Sequence, residues 1–434
     1  MSTIRLEQIA ACGIVGAGGA GFPTHVKLAT PVECAILNAA ECEPLLHKDK
    51  EVLRAHADEV LKGLSSVMEL TRASRGVVGI KGKYHDVIDD LRRRFPKGIE
   101  IVSLSDSYPS GDEFILVYDV TGRVIPPGGL PRDVGAVVVN VETALNIARK
   151  RPVTRKFLTV AGAVREPVSV EVPIGVTFAD CIALAGGATV DRPAVLVGGA
   201  MMGRLAGSLD EPVTKTTGGL IVLDESHPLI RRYRNAWPTI RRIGAAACDQ
   251  CSFCTELCPR YLLGHPIEPH KAMRSLGFSL AGEANVVGTL FCCECNLCSL
   301  YSCPEDLDPK NVCSRNKQRL LQEKRRPPVE PVVRRAELHL ANRRAPIRRL
   351  IAKLGLTAFR NVGPLIGKTV SPSRVVLPLK QHAGPPAQAV VAVGARVGVG
   401  DVIGRPADGQ LGSVIHASMA GKVTAINSSV TIEA

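Results

Sequence analysis

The feature that most constrains this chain is a run of cysteines. Between positions 291 and 306 it reads FCCECNLCSLYSCPED, with cysteines at Cys292, Cys293, Cys295, Cys298 and Cys303. A disulfide framework, a zinc site or an iron–sulfur cluster could each need so many thiols. With 434 residues, 45% of them hydrophobic, the chain can build several cores without cross-links. Its start, MSTIRLEQIAACGIVG, has no apolar core followed by a small-residue cleavage site, so it does not read as a secretory signal. No stretch approaches the ~18 uninterrupted apolar residues of a membrane span. The chain is therefore expected to be cytoplasmic, with no integral membrane segment. There, clustered cysteines are ligands or catalysts more often than disulfides.

Upstream, CDQCSFCTELCPR supplies Cys248, Cys251, Cys254 and Cys258, followed by Pro259. This is C-x2-C-x2-C-x3-C-P, the bacterial ferredoxin spacing, in which three cysteines cap one cubane and the fourth reaches a different one. The later run repeats it as Cys292-x2-Cys295-x2-Cys298-x4-Cys303-Pro304, one residue longer before the last cysteine. Zinc is the alternative, but it needs four ligands, usually as two C-x2-C pairs; here each run adds a third and a fourth cysteine. Two [4Fe–4S] clusters are expected, one on Cys248, Cys251, Cys254 and Cys303, the other on Cys292, Cys295, Cys298 and Cys258. Cys293 is left as a packing neighbour, although a register with Cys293 in place of Cys292 stays open. Cys313 is spare, and Cys12, Cys34, Cys42 and Cys181 read as small buried hydrophobes.

The net charge of +13 is mostly local. Residues 315–360 hold fourteen Lys or Arg against three Glu, a surplus of eleven. This reads as a solvated helix face and linker, or as a docking patch for an acidic partner or membrane surface. Aromatics make up 4% of the chain and are almost absent from this segment, so a base-stacking platform and a nucleic-acid partner are not expected.

Along the chain, apolar runs at 33–39, 75–80, 99–104 and 135–140 read as buried strands, and 47–70 and 85–95 carry helical periodicity. That is an α/β domain. Residues 154–225 hold short strands between Gly and Pro turns, with one helix near 178–186. Residues 244–315 are short-helical and loop-rich, and 375–434 alternate as a compact all-β module. The expected division is 1–152, 153–235, 236–320, a basic helical linker at 321–374, and 375–434.

GIVGAGGAGFPTHVK at 13–27 contains Gly16-x-Gly18-x-x-Gly21, formally the dinucleotide fingerprint. That reading needs a strand before it and a long helix after it, whereas Pro23 and Pro31 bracket a short segment and the preceding residues look like a short helix. A loop whose backbone N–H groups wrap a phosphate and a plain tight turn both remain.

GAGGAGFPTHVK, NAAECEP (38–44), YPSGDE (108–113), PPGGLPRDVG (126–135) and NVETALNIA (140–148) together resemble the flavin- and NADH-binding subunit of respiratory complex I. The resemblance to the RnfC protein of the Rnf electron-transport complex is closer. CSLYSCPEDLDPKNVC most resembles the cobalamin reductases of propanediol-utilisation microcompartments, and the resemblance covers nearly the whole chain. It implies a multidomain α/β and α+β protein: a flavin-binding α/β domain of complex I type, a soluble-ligand-binding β-grasp (SLBB) module, a helical bis-[4Fe–4S] ferredoxin-like domain and a C-terminal all-β barrel-sandwich hybrid. It also implies an FMN held by Gly16, Gly18 and Gly19 with Lys27 near its phosphate. Asn38, Glu41 and Glu43 would surround the ring and ribityl, Gly111, Asp112 and Glu113 the nicotinamide, and Asn140 and Thr143 the phosphate end. Ala17 stands where the complex I subunit has arginine, which puts the NADH contacts in doubt.

The tail resembles lipoyl and biotinyl carriers, yet no lysine lies between Lys380 and Lys422, so it is a carrier fold without carrier chemistry. Its C-terminal position, where RnfC has it near the N-terminus, favours the cobalamin-reductase resemblance. What that implies is an NADH-dependent oxidoreductase passing electrons through FMN and two [4Fe–4S] clusters to cobalamin, the corrinoid substrate. It would lie within a bacterial microcompartment, with a shell protein and an adenosyltransferase as partners. The rival readings are an Rnf-type peripheral protein and a non-catalytic relay or scaffold.

Overall fold

The structure, a computed structural model, describes residues 4–96, 98–277, 283–326 and 335–434. The four expected apolar runs form one parallel sheet: β1 (Cys34–Ala39), β2 (Arg75–Lys81), β3 (Ile99–Leu104) and β4 (Ala136–Asn140), in the order β3-β2-β1-β4. The helices α1 (Lys48–Thr71), α2 (Glu113–Thr121) and α3 (Val141–Arg149) cover it, joined by the helix His85–Arg94, which adds Val87, Ile88 and Leu91 to the core. Alternate strand residues serve opposite faces. Ala35, Leu37, Val137 and Val139 pack with α1 and α3, while Cys34, Ile36, Ala136 and Val138 pack with α2. Burial on both faces is why these strands read as continuous apolar runs rather than alternating ones. The strand order reverses between β1 and β4, so the carboxyl ends of these two strands border a crevice, where open α/β sheets take their ligands.

The next module is a mixed sheet of β5 (Arg155–Gly162), β6 (Val168–Pro173), β7 (Pro193–Val197) and β8 (Gly219–Asp224), with a short strand at Arg204–Leu205 beside β7. β8 runs parallel to β5 and antiparallel to β7. The helix α4 (Phe178–Leu184) buries Phe178, Cys181 and Ile182 in the main core, and Thr177 and Asp180 cap it reciprocally. This is a β-grasp arrangement.

The cysteine-rich part is built of short turns between α5 (Trp237–Ala247) and α6 (Pro309–Gln322), around Ile240, Met273, Leu307 and Val312. The basic segment is not the helical linker expected. Only Ile347–Lys353 is helical within it after α6 ends, because Pro346 and Gly355 bound that turn; residues 327–334 lie outside the described residues. Ala345–Pro346 pair instead with Ser107–Tyr108, and Arg343 and Arg344 reach Glu256 and Asp119. Part of its charge is thus spent inside the molecule.

The tail forms two small sheets. Arg374–Pro378, Ser429–Glu433, Gly421–Ile426 and Arg396–Val397 make one; Gln388–Ala389, Val402–Arg405 and Ile415–His416 make the other. Its core is continuous with those of the α/β domain and the β-grasp module. Among the described residues no helix is long and apolar enough to cross a membrane.

Candidate cofactor sites

The glycine loop lies between the short helices Leu6–Ala11 and Thr24–Lys27, closed by a bridge from Val15 to Pro23. It comes before β1, so the strand-turn-helix of a dinucleotide fold is not what it builds. It is instead held over the end of β4. The Thr143 hydroxyl accepts from Ala17 N–H at 3.0 Å and donates to the Val15 carbonyl at 3.3 Å. A Cβ on Gly18 would stand 2.9 Å from the Asn140 amide nitrogen, so glycine is what lets the loop lie this close; beside Gly19 there is open space. Asn38 and Asn140 are register partners at the carboxyl ends of β1 and β4. Asn38 donates to the Gly111 carbonyl at 2.9 Å and Asn140 to Asp49 at 2.9 Å. A glycine loop facing open space above a switch-point crevice suits a phosphorylated flavin.

The remaining predicted residues are placed unequally. Lys27 and Glu113 pair with each other at 2.5 Å, both partly exposed. Glu41 lies beside Asp49, Lys48 and Glu43, and burial followed by the Asp49 charge pushes its pKa up to about 7. Glu43 accepts from the backbone N–H groups of Met201 and Met202 at 2.9 and 2.8 Å, tying this crevice to the β-grasp module. Asp112 does not present a free carboxylate to the crevice. It accepts from Phe114 and Ile115 N–H as the cap of α2, and from both terminal nitrogens of Arg260 at 2.7 and 3.0 Å.

Burial raises the pKa of Glu43 to about 7, from an ordinary value of 4.5. Such a group holds its proton more tightly in the folded chain than in the unfolded one, so its contribution to stability falls as pH rises from about 4.5 to about 7 and is level above. The stability of the chain relative to its Glu43→Gln variant should therefore fall between pH 5 and pH 8. Denaturation midpoints of the two at both pH values measure this; an unchanged difference contradicts it.

Below the glycine loop lies a buried ion cluster to which no sequence motif pointed. Glu142, at 1% exposure, takes Lys156 at 2.5 Å and Lys48 at 3.4 Å, and Lys48 also holds Asp49 at 2.6 Å. Lys156 additionally donates to the Ala17 carbonyl at 3.1 Å. Burial brings Lys156 down to about 8, opposed by the Glu142 charge.

The two cysteine loops have the same backbone. Gln250 and Ser252, two and four residues after Cys248, have φ of 63° and 64°; Glu294 and Asn296, two and four after Cys292, have φ of 60° and 66°. Cys258 and Cys303 repeat as well, at φ/ψ of −69°/120° and −73°/120°, each before proline. Cys292 therefore stands where Cys248 stands, and Cys293 takes the place of Asp249. Cys248, Cys251, Cys254 and Cys303 line one cavity, walled by Met273, Leu307 and Pro309. Cys258 lies among the second set, where burial and then the neighbouring Cys293 and Cys292 push its thiol up; burial and then Cys292 and Cys258 do the same to Cys298. Among the described residues no three His, Cys, Asp or Glu side chains converge as the ligands of one ion do. Four thiols spread around a cavity is the donor set of a cubane. Cys313 is buried beside Cys292, while Cys12, Cys34 and Cys181 are buried as expected and Cys42 is half-buried beside Gly111.

Crevice and cages share a wall. Tyr108, 1% exposed, donates its hydroxyl to the Cys295 carbonyl at 2.7 Å. Arg260, two residues after Cys258, makes the fork to Asp112 and lies 3.8 Å from the Phe114 ring centre. The segment 108–114 thus spans from the crevice to the second cysteine set. Tyr108 opens the YPSGDE motif; nothing in the sequence pointed to Arg260.

Comparison with known proteins assigns these parts. Residues 9–149 match the Nuo51 FMN-binding domain, 157–205 the SLBB domain, 247–308 the 4Fe-4S dicluster domain and 363–434 the RnfC barrel sandwich hybrid domain. The chain is similar to cobalamin reductase PduS of Salmonella typhimurium, 45% identical over 97% of this chain and 94% of that protein. It is 42% identical to its counterpart in Citrobacter freundii, over 99% and 96%. A component of the Na(+)-translocating ferredoxin:NAD(+) oxidoreductase complex of Acetobacterium woodii is 36% identical over 59% of this chain and 58% of its own length. With an FMN-binding domain and a two-cluster domain in one chain, this is a flavo-iron–sulfur electron-transfer protein, and it belongs to the PduS cobalamin reductase family.

Proposed function

We propose that the chain is an NADH-dependent cobalamin reductase. The observation that carries the reading is the shared wall, in which one segment, 108–114, lines the flavin crevice and touches the cysteine cage through Tyr108 and Arg260. When bound, FMN supplies the exchange between a hydride and single electrons, and the clusters supply single-electron carriage. The chain's own residues supply position and environment. Gly16, Gly18 and Gly19 with Lys27 would hold the flavin phosphate, with Thr143 and Asn140 fixing the loop from below. Asn38, Glu41 and Gly111 would border the ring, and Lys27–Glu113 is the ion pair at the entrance that a nucleotide would meet. Cys248, Cys251, Cys254 and Cys303 would hold one cluster and Cys258, Cys292, Cys295 and Cys298 the other. Cys251 is exposed while Cys295 and Cys298 are buried, so the first cage offers the route out.

The corrinoid acceptor follows the name of the relatives; a place inside a bacterial microcompartment, beside a shell protein and an adenosyltransferase, is what the sequence resemblance adds to the proposal. The Rnf-type reading rests on a match of 59% of the chain and predicts membrane partners instead. Anaerobically reconstituted protein should bleach its flavin absorbance with NADH and reduce cob(III)alamin catalytically. Protein with full flavin and iron that NADH leaves oxidised would sink the proposal, and protein with clusters but no flavin would favour a relay or scaffold.

A further inference from the structure

The C-terminal barrel has the fold of a carrier and no carrier lysine, yet it is not an appendage. It meets the glycine loop at both ends. At the far end Ala383 N–H donates to the Gly21 carbonyl at 3.1 Å. Gly21 has φ of +70°, and a Cβ there would stand 3.1 Å from the Gln381 carbonyl and 2.8 Å from the Thr216 methyl group; only glycine allows barrel, β-grasp module and loop to close up. At the near end the link is Lys215, a residue of the β-grasp module at 2% exposure. Its ammonium donates to the Gly13 carbonyl and to the Val414 carbonyl, each at 2.7 Å, and its backbone N–H is held by the Gln381 side chain at 3.0 Å.

A buried lysine whose partners are carbonyls is costly unless those bonds are well made. Among the described residues Lys215 makes no ion pair with a carboxylate, and burial brings its pKa down to about 7, with only Cys12 opposing. The bonds therefore decide whether the charge is tolerated, and they join loop to barrel.

We infer that Lys215 is a positioning residue for the flavin phosphate, and that the C-terminal barrel serves as the brace against which it fixes the glycine loop. Lys215 itself does not touch the ligand. It holds the carbonyl of Gly13, at the start of the loop, and so fixes where the loop enters its path above the end of β4. Lys156 makes the parallel bond to the Ala17 carbonyl from the other side. The inference rests on the reading that this loop binds the phosphate of FMN.

The test compares FMN with riboflavin, which lacks the phosphate, on flavin-depleted, cluster-loaded full-length protein, by quenching of flavin fluorescence. Lys215→Met, which keeps the length of the side chain and removes its donors, is expected to weaken FMN binding about tenfold and to change riboflavin binding less than about twofold. Gln381→Leu, on the barrel side, should act in the same direction by about threefold, and it decides the matter if the lysine variant does not fold. Variants that keep their iron and bind FMN like the parent overturn the inference, as does equal weakening of both flavins. A parent protein that binds riboflavin as tightly as FMN overturns the phosphate reading of the loop itself, and this inference with it.

Discussion

Replacing Cys258 by alanine is expected to abolish one cluster and spare the other, and the one it abolishes is not the one its neighbours in sequence hold. Cys258 belongs to the first run, yet its surroundings are Cys292, Cys293 and the Cys295–Cys298 loop, while the cavity of Cys248, Cys251 and Cys254 is completed by Cys303. Iron should drop from about eight to about four atoms per chain, with sulfide in parallel. The electron paramagnetic resonance spectrum of the reduced Cys258→Ala protein should match that of Cys295→Ala, and Cys303→Ala should match Cys251→Ala. Cobalamin reduction should fall by about two orders of magnitude or more in each, since removing a fixed carrier interrupts the route. Cys293→Ala should keep both clusters, because the repeated backbone puts Cys292 in the ligand position. Loss of iron in Cys293→Ala, or a match between Cys258→Ala and Cys251→Ala, contradicts the crossed arrangement.

Glu142→Ala should be the most destabilising change outside the cages. Glu142 is the single carboxylate shared by Lys48 and Lys156, all three at 2% exposure or less. Lys48 keeps Asp49, but Lys156 is left with the Ala17 carbonyl alone. Removing one member of such a buried set typically costs about 3–5 kcal/mol, because an uncompensated charge remains. A fall of that size in the denaturant midpoint, with partial recovery in the double variant Glu142→Leu, Lys156→Met, is the expected outcome. Recovery follows because a buried pair replaced by apolar side chains leaves no charge behind. A loss below about 1 kcal/mol would show that water reaches the cluster and shields it.

The fold was legible where one residue type dictates one environment. The runs CAILNA, RGVVGI and AVVVN are apolar but for Asn38, Arg75 and Asn140 and became strands covered on both faces; the cysteine spacing marked the segment that matches the 4Fe-4S dicluster domain. The fold class agrees with the matched domains. What stayed hidden are charges that sequence alone assigns to water. Lys48, Lys156, Lys215 and Glu142 look like surface residues, and their partners lie from one to 202 positions away. Asp112 was read as a nicotinamide contact, yet Arg260, 148 residues on, claims it. The basic segment was read as a helical linker because its charges suit a solvated helix, whereas pairing with Ser107–Tyr108 and with Asp119 straightened it.

Flavin crevice and cysteine cages are proposed to form one conduit. This is tested most directly by anaerobic titration of cluster-loaded protein with NADH, followed by flavin absorbance and by the paramagnetic signals of the clusters. NADH should reduce flavin and both clusters in the FMN-loaded protein and leave the clusters oxidised when FMN is removed. Clusters that stay oxidised while the bound flavin is fully bleached would contradict it.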